Sequence, residues 1–398
     1  MRYKTDKYGN ELSVLGFGCM RLPKNAEAAE KLLAEAVGAG INYFDTAYMY
    51  AGNEAALGRF FAKSGLREKV KIATKIPPFM CRERKDFDKI FSKQLAGLKT
   101  DYIDYYLFHM LNNPEQWREL REAGAEEWVA EKKERGEIRQ IGFSFHGKQD
   151  DFIGLVDAYD WEFCQIQYNY LDVNNQAGLK GLKYAASKGI PVFIMEPLRG
   201  GLLARELPAE AEKIMREAKP SVSPAAWALG WLWNHEEITL LLSGMKTAEQ
   251  LRENIAAAET EEAFTERENG VIEKVAEIFK ASNKIPCTGC GYCMPCPFGV
   301  NIPGCLASYN ASRGWLRKRG INQYVMNTGA LMSNRGLASS CAGCGKCEPR
   351  CPQSIPVRDS LKIVVKRMEP LWFKTLMPLA RRFMGVKRKK KADTDARP

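Results

Sequence analysis

The sequence predicts a (β/α)₈ TIM barrel over residues 1–283, a smaller, mostly helical, cysteine-rich domain over 284–369, and a basic tail over 370–398. Three observations carry this. Eight short apolar runs alternate with helical stretches in the first part of the chain. Nine of the 12 cysteines fall between Cys287 and Cys351. The formal net charge of +11 is concentrated at one end, since residues 361–398 hold 12 Lys/Arg against 3 Asp/Glu, leaving the first 360 residues close to neutral.

The eight predicted strands are Leu15–Gly18, Asn42–Asp45, Val70–Lys75, Ile103–His109, Ile138–Ser144, Phe163–Tyr168, Pro191–Glu196 and Ile238–Ser243. Between them, helical patterns run over Ala26–Val37, Glu54–Ala62, Arg82–Leu98, Pro114–Arg135 and Leu179–Lys188, with Gly40, Gly65, Gly136 and Gly189 placed as C-terminal caps. Strict alternation requires parallel strands, and eight units close into a barrel; an open doubly wound sheet is the competing arrangement. Before the first strand, Arg2–Lys4 and Glu11–Val14 flank Lys7–Asn10 as a hairpin that caps the barrel bottom. From Cys287 onward, cysteine runs flank a helical spacer, and Cys296-Pro297…Ile302-Pro303 is echoed by Cys351-Pro352…Ile355-Pro356, a weak internal repeat.

The composition is that of an ordinary globular protein, with 45% hydrophobic and 27% charged residues. No apolar run reaches the length of a membrane span, the longest being Ala225–Trp233, and the polar start MRYKTDKYGNELSV lacks the apolar core of a secretory signal. Cysteines in such a chain point to metal or redox chemistry in the cytoplasm rather than to disulfides.

Functional residues of such barrels sit at the C-terminal ends of the strands. Those ends read Asp45, Lys75, His109, Ser144 and Gln165, with Tyr50 in the loop beyond Asp45. A tyrosine is a poor acid near neutrality, but a neighbouring ammonium favours its phenolate, a carboxylate keeps that ammonium charged and aimed, and an imidazole can orient a carbonyl oxygen. Alone, Asp45 and Lys75 read as a barrel salt bridge and His109 as a packed core residue. Four such groups on consecutive strand ends read as an active site.

This part of the chain resembles the aldo/keto reductase family through Asp45-Thr46-Ala47-Tyr48-Met49-Tyr50, then Lys75, then His109, and through the GFGCMRLP segment after the hairpin. The resemblance implies hydride transfer between NADP(H), or NAD(H), and a small carbonyl or alcohol. It makes Tyr50 the proton donor, tuned by Lys75 and Asp45, with His109 orienting the substrate. It also places the nicotinamide carboxamide on Ser144 and Gln165, and the adenosine end on Gly244, Met245, Lys246, Gln250, Glu253 and Asn254, with Lys246 toward a 2′-phosphate. An exposed helix-start lysine is the plain alternative for Lys246. Two departures stand out. Phe145-His146 follows the Ser where many members have Asn, and Met195-Glu196-Pro197-Leu198 lacks the aromatic that many members place before Ser-Pro-Leu to stack on the nicotinamide.

Cys287, Cys290, Cys293 and Cys296-Pro297 form one run, and Cys341, Cys344, Cys347 and Cys351-Pro352 another. Thiolates at i, i+3 and i+6 wrap one corner of a cubane, and in two-cluster ferredoxins the Cys before Pro reaches across to the other cluster. Crossed in this way, Cys351 completes the first [4Fe–4S] set and Cys296 the second. The first run is one residue short before Cys296, which leaves Cys305 as a substitute ligand or a buried thiol. Structural zinc is the competing reading. The helical spacer resembles the α-helical ferredoxins of oxidoreductase subunits.

The tail joins PLWFKTLMPLARRFMGV to Lys387-Arg388-Lys389-Lys390-Lys391. It fits an acidic redox partner or an anionic membrane surface, placing the protein at the membrane periphery, or else a solvated end after a short helix broken at Pro378. Nucleic acid is not expected. Three functions compete for the whole chain: a reductase, an electron-transfer protein whose barrel mainly docks the cofactor, and a non-catalytic reporter of cofactor redox state. The complete Asp45/Tyr50/Lys75/His109 set favours the first.

Overall fold

The computed structural model describes residues 1–205, 207–282, 285–312, 317–331 and 335–383. The chain divides into two compact units, Met1–Glu277 and Ile278–Pro398.

In the first unit a hairpin of β1 (Tyr3–Thr5) and β2 (Glu11–Ser13) precedes eight parallel strands that close into a barrel. These are β3 (Leu15–Gly18), β4 (Tyr43–Asp45), β5 (Lys71–Ile76), β6 (Ile103–Phe108), β7 (Ile138–Phe145), β8 (Phe163–Gln167), β9 (Val192–Met195) and β10 (Ile238–Ser243), with β10 pairing back onto β3. All eight strand positions match the apolar runs of the sequence, and the open-sheet alternative is excluded by the closure.

Side-chain alternation explains how this barrel builds a site. Leu12 of the hairpin joins Tyr43, Ala73, Tyr105, Leu107, Phe163, Phe193, Leu240 and Leu242 in a core filling the barrel's interior. The intervening residues Phe44, Tyr106, Phe108, Phe143, Cys164 and Ile166 belong to the separate core shared with the helices. Two residues beyond Tyr43, Ala73, Leu107 and Phe163 stand Asp45, Lys75, His109 and Gln165, so the polar side chains form the next interior layer. Aromatic packing supports it from below, with ring centroids 5.1 Å apart for Tyr43–Tyr105 and for Tyr105–Phe163. The Tyr105 hydroxyl donates to Asp6 Oδ2 at 2.7 Å, tying the hairpin to the same core. Gly142 leaves room for the Phe163 ring, which would lie 2.7 Å from an added Cβ.

One helix differs from expectation. The pattern over 114–135 reads as one helix, but the structure has two, Pro114–Glu122 and Ala125–Glu134, because Gly124 sits at φ +88° and interrupts the ladder. The apolar stretch from Ala225 belongs to the helix Pro224–Trp233, packed in the unit with Trp227, Leu229 and Leu232 buried. Among the described residues no helix is long and apolar enough to cross a membrane.

The second unit is built from helices Ile302–Ala311, Arg317–Thr328, Val357–Met368 and Leu371–Phe383 around Val300, Leu306, Tyr324, Leu361, Val364 and Phe373. The Tyr324 hydroxyl donates to Glu369 Oε1 and accepts from Ala338 N at 2.9 Å, while Ser339 N donates to the same Glu369 oxygen at 3.0 Å. Those bonds fix the approach to the second cysteine run. Pro378 does not break its helix: the turn holding it is exposed, so the carbonyl that loses its amide partner meets water, while Phe373 and Met377 anchor the helix to the core. The basic run 387–391 lies outside the described residues.

Candidate active site and cysteine centres

Asp45 and Lys75 are nearly inaccessible and face each other across adjacent strands: Lys75 Nζ donates to Asp45 Oδ1 at 2.6 Å and to the Thr46 carbonyl at 2.7 Å. Burial pushes the Asp45 carboxyl up, and the Lys75 ammonium with its hydrogen bond pulls it back. The same Nζ stands 5.6 Å from the centre of the half-buried Tyr50 ring. His109 meets Tyr50 edge to face at 6.0 Å between centroids. Burial holds the His109 imidazole well below its ordinary range, and Lys75 and His146 push it the same way, so it is neutral at physiological pH. The four groups named from the strand ends thus come together on one rim.

A network invisible in the sequence lies behind Lys75. Gln94 Nε2 donates to Glu54 Oε1 at 2.8 Å, to Thr74 Oγ1 at 3.0 Å and to the Lys75 carbonyl at 3.2 Å, and Gln94 Oε1 accepts from the Tyr106 hydroxyl at 2.7 Å. These bonds fix the backbone that carries the lysine. No spacing signal marks Gln94, which lies on the helix Arg84–Leu98. His146 is buried too, its Nδ1 3.1 Å from Gln176 Oε1 and its imidazole lowered to about 4, chiefly by burial. In the loop after β9, Arg199 Nε lies 3.0 Å from Asp172 Oδ2 with both groups buried, a pair that no sequence spacing marks.

Ser144 and Gln165 are directly paired across β7 and β8. Ser144 Oγ accepts from Met110 N at 2.9 Å and keeps its hydroxyl proton to donate, while Gln165 Oε1 is buried without a hydrogen-bond partner among the described residues. One donor beside one unsatisfied acceptor matches a primary carboxamide, so the residues fit a nicotinamide. Farther round the rim, Thr247 caps the helix Ala248–Glu259, Lys246 N donates to Gln250 Oε1 at 2.9 Å, and Asn254 Nδ2 donates to Ser243 Oγ at 2.7 Å. Gly244 and Lys246 are exposed and Glu253 half-buried. Met245 and Asn254 are buried, so their side chains hold this turn together.

In the second unit the two cysteine runs share a loop form. Gly289 and Gly291 flank Cys290 at φ +70° and +83°, and Gly343 and Gly345 flank Cys344 at +73° each. This glycine–cysteine–glycine repeat extends the Cys-Pro repeat; left-handed turns let successive amides line a concave loop suited to an anionic group. Burial raises the Cys293 thiol to about 12, with Cys290, Cys287 and Cys351 acting on it as neighbours. Burial also raises Cys347, with Cys341 and Cys296 among its neighbours. Cys351 thus acts on the first run and Cys296 on the second. Cys344 is exposed at its turn. Cys305 is fully buried, its Sγ 3.4 Å from the Gly336 carbonyl, as a packed thiol. Among the described residues, no three His, Cys, Asp or Glu side chains form a site for a single metal ion.

A closed barrel whose rim gathers these polar groups, joined to a cysteine-rich unit, defines an oxidoreductase. The chain belongs to the aldo/keto reductase family: the family model matches residues 14–277, and the model of a 4Fe-4S dicluster domain matches residues 286–356. It is 27% identical over 287 residues to "Uncharacterized oxidoreductase YqkF" of Bacillus subtilis, covering 62% of this chain and 88% of that relative. It is 27% identical over 269 residues to "NADH-specific methylglyoxal reductase" of Escherichia coli, covering 56% and 81%. Aldo-keto reductase AKR11C1 from Bacillus halodurans, in its holo form, superposes with a TM-score of 0.59 at 25% identity over 69% of this chain and 96% of that one.

Proposed function

We propose that the barrel reduces a small aldehyde or ketone, or oxidises the corresponding alcohol, with NADP(H), and that the second unit carries two [4Fe–4S] clusters. The observation that carries this reading is the buried 2.6 Å Lys75–Asp45 pair set beside the Tyr50 ring. A dihydronicotinamide held at Ser144 and Gln165 would supply the hydride for reduction of the carbonyl carbon. Tyr50 gives its hydroxyl proton to the carbonyl oxygen, and the phenolate left behind is stabilised by the Lys75 ammonium, which Asp45 holds in place. Neutral His109 orients that oxygen by donating a hydrogen bond. Ser144 and Gln165 hold the carboxamide. The exposed Lys246, with Gly244, Met245, Gln250, Glu253 and Asn254 around the helix start, receives the adenosine end, and its charge favours a 2′-phosphate and hence NADP over NAD.

Cys287, Cys290, Cys293 and Cys351 would hold one cluster and Cys341, Cys344, Cys347 and Cys296 the other, in a protein working in the cytoplasm, where thiols stay reduced. A cluster passes one electron at a time whereas a hydride carries two, so the carbonyl chemistry is assigned to the barrel and the clusters to structure or a separate path. The crossed cysteine sets leave room for a second reading, in which the clusters exchange electrons with a partner and the barrel mainly docks the cofactor.

The reading is tested by anaerobic NADPH consumption with a panel of aldehydes and ketones. Tyr50→Phe is expected to lower kcat by about 10²–10⁴-fold while NADPH binding is kept. Lys246→Ala is expected to weaken NADPH but not NADH. Full turnover by Tyr50→Phe would refute the assignment.

A further inference from the structure

The helix Leu371–Phe383 is anchored on one side and apolar on the other. Phe373, 2% exposed, packs against Tyr324 with centroids 5.8 Å apart, Met377 joins the same core, and Arg381 Nη1 donates to the Ala330 carbonyl at 3.4 Å. At 100° per residue these mark one face. Trp372, Leu376 and Leu379 then fall together on a different face, at 42%, 51% and 63% exposure, and Leu371 at the helix start is 83% exposed. A compact domain rarely leaves such a stripe in water without a use for it.

The charge in this stretch of the sequence has one sign. Lys374 and Arg382 are exposed on this helix, and Lys387-Arg388-Lys389-Lys390-Lys391 follows in sequence, with no Asp or Glu from Pro370 through Ala392. Thirteen residues make a rod about 20 Å long, shorter than a bilayer's hydrocarbon core, so the element suits lying in an interface rather than crossing it. A tryptophan at the edge of an aliphatic stripe is at home at headgroup depth, and cationic neighbours attract anionic lipid. An acidic soluble protein would answer the charge but has no evident need for three exposed apolar side chains in line.

We propose that Leu371–Phe383, with the lysine-rich run after it, is an interfacial anchor that binds an anionic phospholipid surface. Phe373, Met377 and Arg381 fasten it to the cysteine-rich unit, while Trp372, Leu376 and Leu379 enter the headgroup layer.

The test is co-sedimentation of the full chain, prepared without oxygen, with vesicles of phosphatidylcholine alone and of phosphatidylcholine mixed with phosphatidylglycerol. Binding to the mixed vesicles is expected to exceed binding to the neutral ones by about tenfold or more and to weaken as salt rises. The triple change Trp372→Ser, Leu376→Ser, Leu379→Ser, all on exposed positions, is expected to lower partitioning about tenfold or more, with iron content and carbonyl turnover unchanged. Replacing Lys387, Arg388, Lys389, Lys390 and Lys391 by Gln is expected to abolish the preference for anionic vesicles. Absence of binding to the mixed vesicles, or equal binding by the triple variant, overturns the proposal. So does saturable binding to a purified acidic ferredoxin in place of vesicles, which would assign the stripe to a protein partner.

Discussion

In the barrel, reactive groups are partnered by the chain itself: Lys75 by Asp45 and the Thr46 carbonyl, and the strand beneath by Gln94 and Glu54. In the unit from Ile278, two cysteine runs carry thiols on left-handed glycine turns, and cysteines far apart in sequence act on one another electrostatically. The barrel site is therefore assembled by folding alone, held by buried charge pairs and a packed aromatic layer. The cysteine unit has a smaller core of short helices, and its loops gain a fixed geometry when something bridges the thiols. The two regions should fail in different ways.

The largest expected difference follows removal of iron by a chelator and oxidant. Proteolysis should then degrade the chain from about Ile278 onward while a fragment near Met1–Glu277 persists and still binds NADPH, as read by gel electrophoresis and fluorescence. Simultaneous loss of both units would break the contrast. Within the cysteine unit, Cys351→Ser and Cys296→Ser should each lower bound iron by about half, and their EPR spectra should lose different signals, if each residue completes the set on the opposite run as proposed. Loss of the same signal in both variants would refute the crossed grouping.

In the barrel, Lys75→Met leaves the Asp45 carboxylate buried and unpaired. It should cost about 3–5 kcal/mol of stability as well as activity, measured by denaturant unfolding of the anaerobic protein. A smaller effect concerns pH. His146 is buried as a neutral ring at about 4, against 6.5 in an unfolded chain, so on acidification the unfolded state takes up its proton first. Stability conferred by this residue is intact above pH 6.5 and falls between 6.5 and about 4, by about 3 kcal/mol in all. His146→Gln should flatten unfolding free energy against pH in that window; an unchanged slope would exclude His146 as its source.

Much of this was legible in the sequence because two periodicities are strict. Residue alternation in the strands places Asp45, Lys75, His109 and Gln165 on the inward side, and the Cys-x-x-Cys spacing announces its loops without reference to the rest of the fold. What stayed hidden depends on contacts between distant residues. Gln94 looks like any polar helix residue until its helix packs behind β5, and Arg199 looks exposed until Asp172 meets it. Gly124 is one glycine in a helical pattern, and only its positive φ separates two helices. Pro378 misled in the other direction, because Phe373 and Met377 hold the helix together across it.

If carbonyl reduction belongs to the barrel, it proceeds independently of the clusters. The direct measurement mixes the anaerobic protein with NADPH, with and without an aldehyde, and follows NADPH absorbance and the cluster EPR signals together. NADPH is expected to be consumed only when aldehyde is present, one molecule per carbonyl reduced, with the clusters unchanged and turnover lost in Tyr50→Phe. Reduction of the clusters by NADPH alone, with aldehyde turnover intact in Tyr50→Phe, would contradict that expectation.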